Sequence, residues 1–214
     1  MDIDKKLEPG KLYSSNTYTL YSQILNCGGI PENLGIVKDN FSQLEKKIRA
    51  AVLTCDLILT SGGVSVGDYD LVKDVLAKMG TNIKFWKVAM RPGKPLAFGM
   101  IQGIPVFGLP GNPVSSMVVF EIFVRSAILK MSGQKDDEKK EVTAILDEDI
   151  KKKKGFRFFL RANTLWHKDA YFTKTTGPQG SGILKSMGLA NSLIILPEDK
   201  EFVRKGNRAT VKFL

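Results

Sequence analysis

Histidine is almost absent from the 214 residues: His167 is the only one, and the two cysteines, Cys27 and Cys55, stand apart. The chain therefore has no metal-ligand spacing of His and Cys, and its two isolated thiols read as small buried groups in a reducing compartment. No uninterrupted apolar run of roughly 18 residues exists, which excludes a membrane-spanning helix. The start, Met1-Asp2-Ile3-Asp4-Lys5-Lys6, carries no apolar signal core, so a cytoplasmic protein is expected. Acidic residues are in short supply, 22 against 32 Lys and Arg, leaving a formal charge of +10. Such an excess suits nucleic acid, an anionic membrane surface or a small polyanionic ligand. Its distribution favours the ligand: the only dense run, Lys151 to Lys154, lies between strand-like segments and reads as a solvated hairpin tip, with no nucleic-acid motif beside it. The length suits one or two domains with a real core.

What is present centres on Thr60-Ser61-Gly62-Gly63-Val64-Ser65-Val66-Gly67-Asp68-Tyr69-Asp70. Asp56-Leu57-Ile58-Leu59 ahead of it reads as a buried strand, and Leu71, Val72, Val75, Leu76 and Met79 behind it fit one helix face. In an open parallel sheet such strand-to-helix turns sit where ligands bind, and glycines let backbone N–H groups approach an anion closely. Asp68 and Asp70 add carboxylates beside that place, as a bridging divalent cation requires. The same pattern also serves a tight turn in which Asp70 caps the helix.

Along the rest of the chain, Ser14, Ser15 and Asn16 offer N-caps for a helix ended by Gly28-Gly29. Leu34 to Val37 reads as a short strand that puts Asp39 at a strand end, and Asn40 with Gln43 resembles a capping box for a helix bearing Leu44, Ile48 and Val52. Ile83 to Met90 alternates as a strand before Arg91-Pro92-Gly93-Lys94-Pro95, whose prolines fix Lys87, Arg91 and Lys94 as candidate oxyanion ligands. Val106 to Leu109 is a further strand. Asn112 and Pro113 then open a helix, apolar on most sides, that runs to about Ser132. Beyond the charged linker 133–140 the hydrophobic period becomes two, predicting a small β-barrel or sandwich, with the glycine-rich connection Gly177 to Gly182 as its one long loop.

Three motifs in this order, Thr60 to Gly67 with Asp70, Arg91-Pro92-Gly93-Lys94-Pro95, and Gly108-Leu109-Pro110-Gly111-Asn112-Pro113-Val114-Ser115, strongly resemble the molybdopterin molybdotransferases, the family of MoeA and the gephyrin E domain. The resemblance spans essentially the whole chain. It implies an α/β fold: a molybdopterin-binding, MogA/MoaB-like three-layer α/β/α domain over 1–132, a linker over 133–140, and a C-terminal β-barrel domain over 141–214. It implies insertion of molybdenum from molybdate into adenylylated molybdopterin with release of AMP, assisted by Mg²⁺. By resemblance, Asp39 and Asp70 are acidic active-site and metal positions and Lys87 the first active-site lysine. Ser61, Gly62, Gly63, Ser65, Gly67, Gly111, Asn112 and Ser115 bind molybdopterin and phosphate. Arg91, Lys94 and Pro95 form the molybdate pocket with Arg161 and Ser181 of the barrel domain. Arg91 stands where the best-known members carry lysine, replacing a point charge by a planar fork. The family places two further domains and a strand ending in Ser-Thr-Gly-Asp-Glu ahead of this region. The expectation is thus a partial chain whose missing strand leaves a hydrophobic slot and removes one carboxylate, with a homodimer in the full-length protein. Two other readings remain open: a non-catalytic molybdopterin-binding or scaffold module, and an inactive fragment of the enzyme.

Overall fold

Capping chemistry sets the helices of the first half. In the computed structural model, which describes residues 1–37, 39–63, 71–134 and 141–214, helix α1 (Ser15–Leu25) stops where Gly28 turns left-handed at φ +77. The Gly28 and Gly29 N–H groups donate to the carbonyls of Leu25 and Ile24, satisfying the last turn. Helix α2 (Phe41–Thr54) starts at Asn40, whose side chain accepts from the Gln43 N–H at 3.0 Å. The run 34–37 is not a strand. Gly35 is left-handed at φ +76, its N–H donates to the Asn33 side chain at 2.9 Å, and Lys47 Nζ donates to the Leu34 carbonyl. Side chains thus occupy backbone groups that a ladder would need, and Asp39 follows an irregular segment instead of a strand end.

The chain divides into two units, Met1–Val88 with Pro95–Lys135, and Ala89–Lys94 with Asp136–Leu214. After α2 the first continues with β1 (Ile58–Ser61), α3 (Leu71–Lys78) and β2 (Asn82–Lys87). A two-residue strand of the second unit, β3 (Met90–Arg91), comes next in sequence; then follow β4 (Pro95–Ile101), β5 (Ile104–Leu109), α4 (Pro113–Val119), a π-helical turn Phe120–Val124 and α5 (Arg125–Met131). The sheet order is β1-β5-β4-β2. Alternation along the strands divides its faces. Ile58, Ala97, Ile101 and Val106 pack with Leu44, Ile48 and Ala51 of α2 and Val72, Val75 and Leu76 of α3. On the other face Phe98 and Phe107 stack at 4.7 Å, and Phe85 meets Phe123 of the π turn. This is a three-layer α/β/α domain. Val75, Leu76 and Val106 are wholly buried, each stabilising the fold by about 1.5–3 kcal/mol. The helix expected to be mostly apolar also buries Glu121 and Arg125, one turn apart. Arg125 Nε lies 3.9 Å from Glu121 Oε1, and Arg125 Nη1 donates to Cys27 Sγ at 3.5 Å.

The second unit is a closed barrel. Strands β6 (Glu141–Leu146), β8 (Arg157–His167), β9 (Ala170–Thr175), β10 (Ser192–Leu196) and β12 (Arg208–Phe213) pair in the ring β10-β12-β6-β9-β8, and β8 returns to β10. The short strands β7 (Ile150–Lys151) and β11 (Phe202–Val203) pair with each other, α6 (Leu184–Gly188) covers one end, and β3 runs parallel to the start of β8. Inward residues follow the period of two: Ala144 and Leu146, Leu160 and Ala162, Ile194 and Leu196, Ala209 and Val211. The two-residue turn Lys168-Asp169 has positive φ at both positions (46 and 60), the geometry that matches strand twist in a tight hairpin. In the lysine run 151–154, Lys151, Lys153 and Lys154 are exposed as a solvated tip requires, and Lys152 departs from it. Lys152 is 6% exposed, its Nζ donating to the carbonyls of Phe156 at 3.0 Å and Lys153 at 3.3 Å, and burial holds its pKa below the ordinary lysine value.

Within the barrel three buried hydroxyls form a chain across three strands. Thr164 Oγ1 lies 2.7 Å from both Thr173 Oγ1 and Ser192 Oγ, and Ser192 Oγ donates to the Ala162 carbonyl at 3.2 Å. Thr164→Val removes the middle of this chain and leaves two buried hydroxyls short of a partner. Chemical denaturation is expected to show a loss of about 1–3 kcal/mol, with Thr164→Val/Thr173→Val losing less than the sum of the single variants. An additive pair would show that the hydroxyls act independently.

Candidate functional site

Strand direction gathers one rim of the first unit. β1 and β5 are parallel, β4 is antiparallel to β5, and β2 is antiparallel to β4. The ends of β1 (Ser61), β5 (Leu109) and β2 (Lys87) and the start of β4 (Pro95) therefore share one end of the sheet, and Lys87 is the register partner of Pro95. At that end the two glycine turns touch. The Gly62 N–H donates to the Leu109 carbonyl at 3.0 Å, and a Cβ placed on Gly111 would lie 3.5 Å from Gly62 Cα. Ser61 Oγ donates to the Pro110 carbonyl at 3.3 Å. Asn16, in the first turn of α1, joins both turns: its Nδ2 donates to Ser61 Oγ at 2.6 Å and to the Gly111 carbonyl at 2.8 Å. Asn16 Oδ1 and Thr60 Oγ1 are buried without a hydrogen-bond partner among the described residues.

Beside this rim lies a cleft of about 1110 Å³ that follows β1 along its whole length and reaches Asn16, Asp39 and Ser61 to Gly63. Its wall is apolar where Leu20, Ile24, Ile48 and Ile128 face it. Among the described residues β1 pairs only with β5, so its other edge opens onto the cleft. The volume exceeds what a small-molecule site ordinarily needs, roughly 300–1,000 Å³.

The sequence-derived site residues are distributed as follows. Ser61, Gly62, Gly63 and Asp39 line the cleft, with Asp39 exposed on the segment before α2. Ser65, Gly67, Asp68 and Asp70 lie outside the described residues. Gly111 and Asn112 form the second turn; Asn112 occupies the N-cap position of α4 without a side-chain capping bond, and Ser115 is buried one turn on. Lys87 and Pro95 share the rim but stand on the strands farthest from β1. No group of three or more His, Cys, Asp or Glu residues assembles to hold a metal among the described residues. Asp39 alone does not make a Mg²⁺ site.

The second unit holds the remaining cations. Arg91 and Lys94 both lie over the ring of Phe156, at 4.6 and 5.7 Å from its centroid. Arg161 is wholly buried, and burial lowers its pKa from the ordinary guanidinium value. Its Nε donates to Ser186 Oγ at 3.1 Å and its Nη2 to the carbonyls of Gly180 at 3.0 Å and Pro178 at 3.4 Å, while Nη1 has no hydrogen-bond partner among the described residues. The Gln179 side chain clasps the Arg161 backbone from both sides, accepting from its N–H at 2.9 Å and donating to its carbonyl at 3.1 Å. Arg161 and Gln179 together fix the loop that carries Ser181. The sequence offers Asn16 only as a possible cap, Phe156 only as the start of a strand-like run and Gln179 only as part of the glycine-rich connection. Their partners lie far along the chain, 45 and 95 residues away for Asn16, where no local pattern reaches.

Comparison with known proteins agrees with this architecture. Residues 2–130 match the family described as probable molybdopterin binding domain, and 143–214 match the MoeA C-terminal region (domain IV). A molybdopterin molybdenumtransferase of Haemophilus influenzae is 37% identical over 99% of this chain and 53% of its own length. One from Nostoc sp. is 35% identical over 98% of this chain and 49% of its own. The solved molybdopterin biosynthesis MoeA protein from Pyrococcus horikosii superposes with a TM-score of 0.83 at 28% identity, covering all of this chain and 51% of that one. The chain spans about half the length of the curated relatives it matches. With the glycine turns meeting at one rim and a closed barrel following, the chain belongs to the MoeA family, carrying its molybdopterin-binding domain and its C-terminal domain IV.

Proposed function

We propose that this chain is the part of a molybdopterin molybdotransferase that binds adenylylated molybdopterin and molybdate, in a reaction of molybdenum cofactor biosynthesis that inserts molybdenum and releases AMP. The observation that carries this reading is the junction of the two glycine turns at the ends of β1 and β5, held by Asn16 beside a cleft with more than enough room for a small molecule. Parallel strand exits are where open α/β sheets bind ligands, and the glycines there leave backbone N–H groups within reach of phosphate oxygens. Ser61, Gly62 and Gly63 are assigned to phosphate, with Gly111, Asn112 and Ser115 on the neighbouring turn. Asn16 Oδ1, buried and lacking a partner among the described residues, is assigned to an N–H group of the ligand.

Arg91 and Lys94 are assigned to molybdate, a tetrahedral oxyanion that a guanidinium fork and an ammonium suit. Arg161 and Gln179 hold the loop that presents Ser181. Asp39 is assigned as the carboxylate that handles protons or one ligand of Mg²⁺. The described residues do not by themselves complete a magnesium site. Lys87 is placed on the same rim as a cation for the phosphates. The excess of positive charge suits all of these anionic substrates.

Incubation of the chain with adenylylated molybdopterin, molybdate and Mg²⁺, followed by chromatography, is expected to show molybdate-dependent AMP release. Tight pterin binding without AMP would favour the scaffold reading, and neither would refute the assignment. Asn16→Ala removes two hydrogen bonds between the turns and is expected to weaken binding of the adenylylated pterin about 10-fold or more, read by calorimetry. Asp39→Asn is expected to lower AMP release by about 100-fold with pterin affinity nearly unchanged; unchanged release would exclude Asp39 from the chemistry.

A further inference from the structure

We infer that Phe156 is a positioning residue for an oxyanion: its ring holds Arg91 and Lys94 side by side, uncompensated by any acid among the described residues, so that both meet one tetrahedral anion. The inference rests on the proposed assignment of Arg91 and Lys94 to molybdate, and deepens it.

Two cations three residues apart repel each other and ordinarily separate into solvent. Here both charges lie within cation–π range of one ring, 4.6 Å for Arg91 Cζ and 5.7 Å for Lys94 Nζ. Among the described residues neither takes part in a salt bridge. That difference matters chemically. A carboxylate would fix a cation by neutralising it and would then compete with an incoming anion. An aromatic face attracts the cation while leaving its charge and N–H donors for a ligand.

The backbone that carries the ring is itself held. The Phe156 carbonyl accepts from Lys152 Nζ at 3.0 Å, and that buried ammonium lies 5.0 Å from the Phe158 ring centroid. The segment bearing the cations is docked on the same strand. The Arg157 N–H donates to the Ala89 carbonyl at 2.9 Å, and Met90 and Arg91 pair with Arg157 and Phe158. Pro92 restricts the backbone between the two cations and Pro95 that of Lys94 before it, and Gly93, buried at φ +108, completes the turn. Backbone pairing thus sets where Arg91 and Lys94 begin, and the ring sets where their charges end. An anion meeting such a pair encounters side chains already ordered, which lowers the entropy cost of binding.

Calorimetric titration of the whole chain with sodium molybdate, and with tungstate as a second tetrahedral anion, tests this directly. Arg91→Ala and Lys94→Ala are expected to remove binding. Phe156→Leu, which keeps apolar bulk but loses the ring, is expected to weaken it about 5-fold or more, and Phe156→Trp to stay within about twofold of the unaltered chain. Affinity for adenylylated molybdopterin and the melting temperature should move little in Phe156→Leu. Because that variant can also fail to fold, trifluorophenylalanine at position 156 provides the same test with the ring's shape kept and its negative face weakened. Molybdate affinity unchanged by Phe156→Leu or by fluorination, while the two alanine variants still abolish it, overturns the role of Phe156 and leaves the molybdate assignment standing. An unaltered chain that binds neither anion, or alanine variants that bind as well as it does, removes the assignment and this inference with it.

Discussion

A single side-chain amide joins the two turns on which the site is built. Its nitrogen carries two hydrogens, and Asn16 gives one to Ser61 at the end of β1 and the other to Gly111 beyond β5. Both acceptors therefore lie within about 3 Å of one atom, which fixes the two turns against each other more closely than the neighbouring strands alone require. The Ser61 hydroxyl donates in turn to the Pro110 carbonyl, so the second turn is held twice. The two turns run close together here: the place of a Cβ on Gly111 lies in ordinary van der Waals contact with Gly62 Cα, at 3.5 Å. The cleft, the glycine N–H groups and Asp39 take their places around this junction.

The barrel unit meets a different constraint. It encloses polar groups where an apolar core would be simpler, and most of the partners it supplies are neutral: carbonyls for Arg161 and Lys152, hydroxyls for Thr164, Thr173 and Ser192. Neutral partners hold a cation in position without cancelling it. Loops secured in this way gain definition from the buried group. In the first unit the buried Arg125 instead has Glu121 one turn away, and that pair lies inside a helix, away from the rim.

Much of this architecture was legible in the residues. Gly28 ends α1, Asn40 caps α2, and the change to a period of two past residue 140 announced a barrel or a sandwich, because each of these signals acts over a few residues; the family resemblance pointed to the barrel. The three motifs pointed to the family on their own. Local pattern failed where a side chain overrode the backbone's preference: Asn33 and Lys47 occupy groups that a strand over 34–37 would use. It failed also where charge went inward. Lys152, within a run that composition marks as solvated, and Glu121 and Arg125, within a helix that reads as apolar, are buried with partners that sequence spacing does not advertise. Ser65, Gly67 and Asp70 fall outside the described residues, so the second half of the glycine turn rests on sequence alone.

The central claim is that phosphate oxygens of the pterin ligand sit at the joined exits of β1 and β5. A crystal structure of the chain soaked with adenylylated molybdopterin tests it most directly. The account predicts phosphate oxygens at the turn after Ser61, within hydrogen-bonding distance of the Gly63 N–H group, with the ligand filling the cleft beside Asn16 and Asp39. Ordered ligand bound elsewhere, with that rim left to solvent, would contradict it.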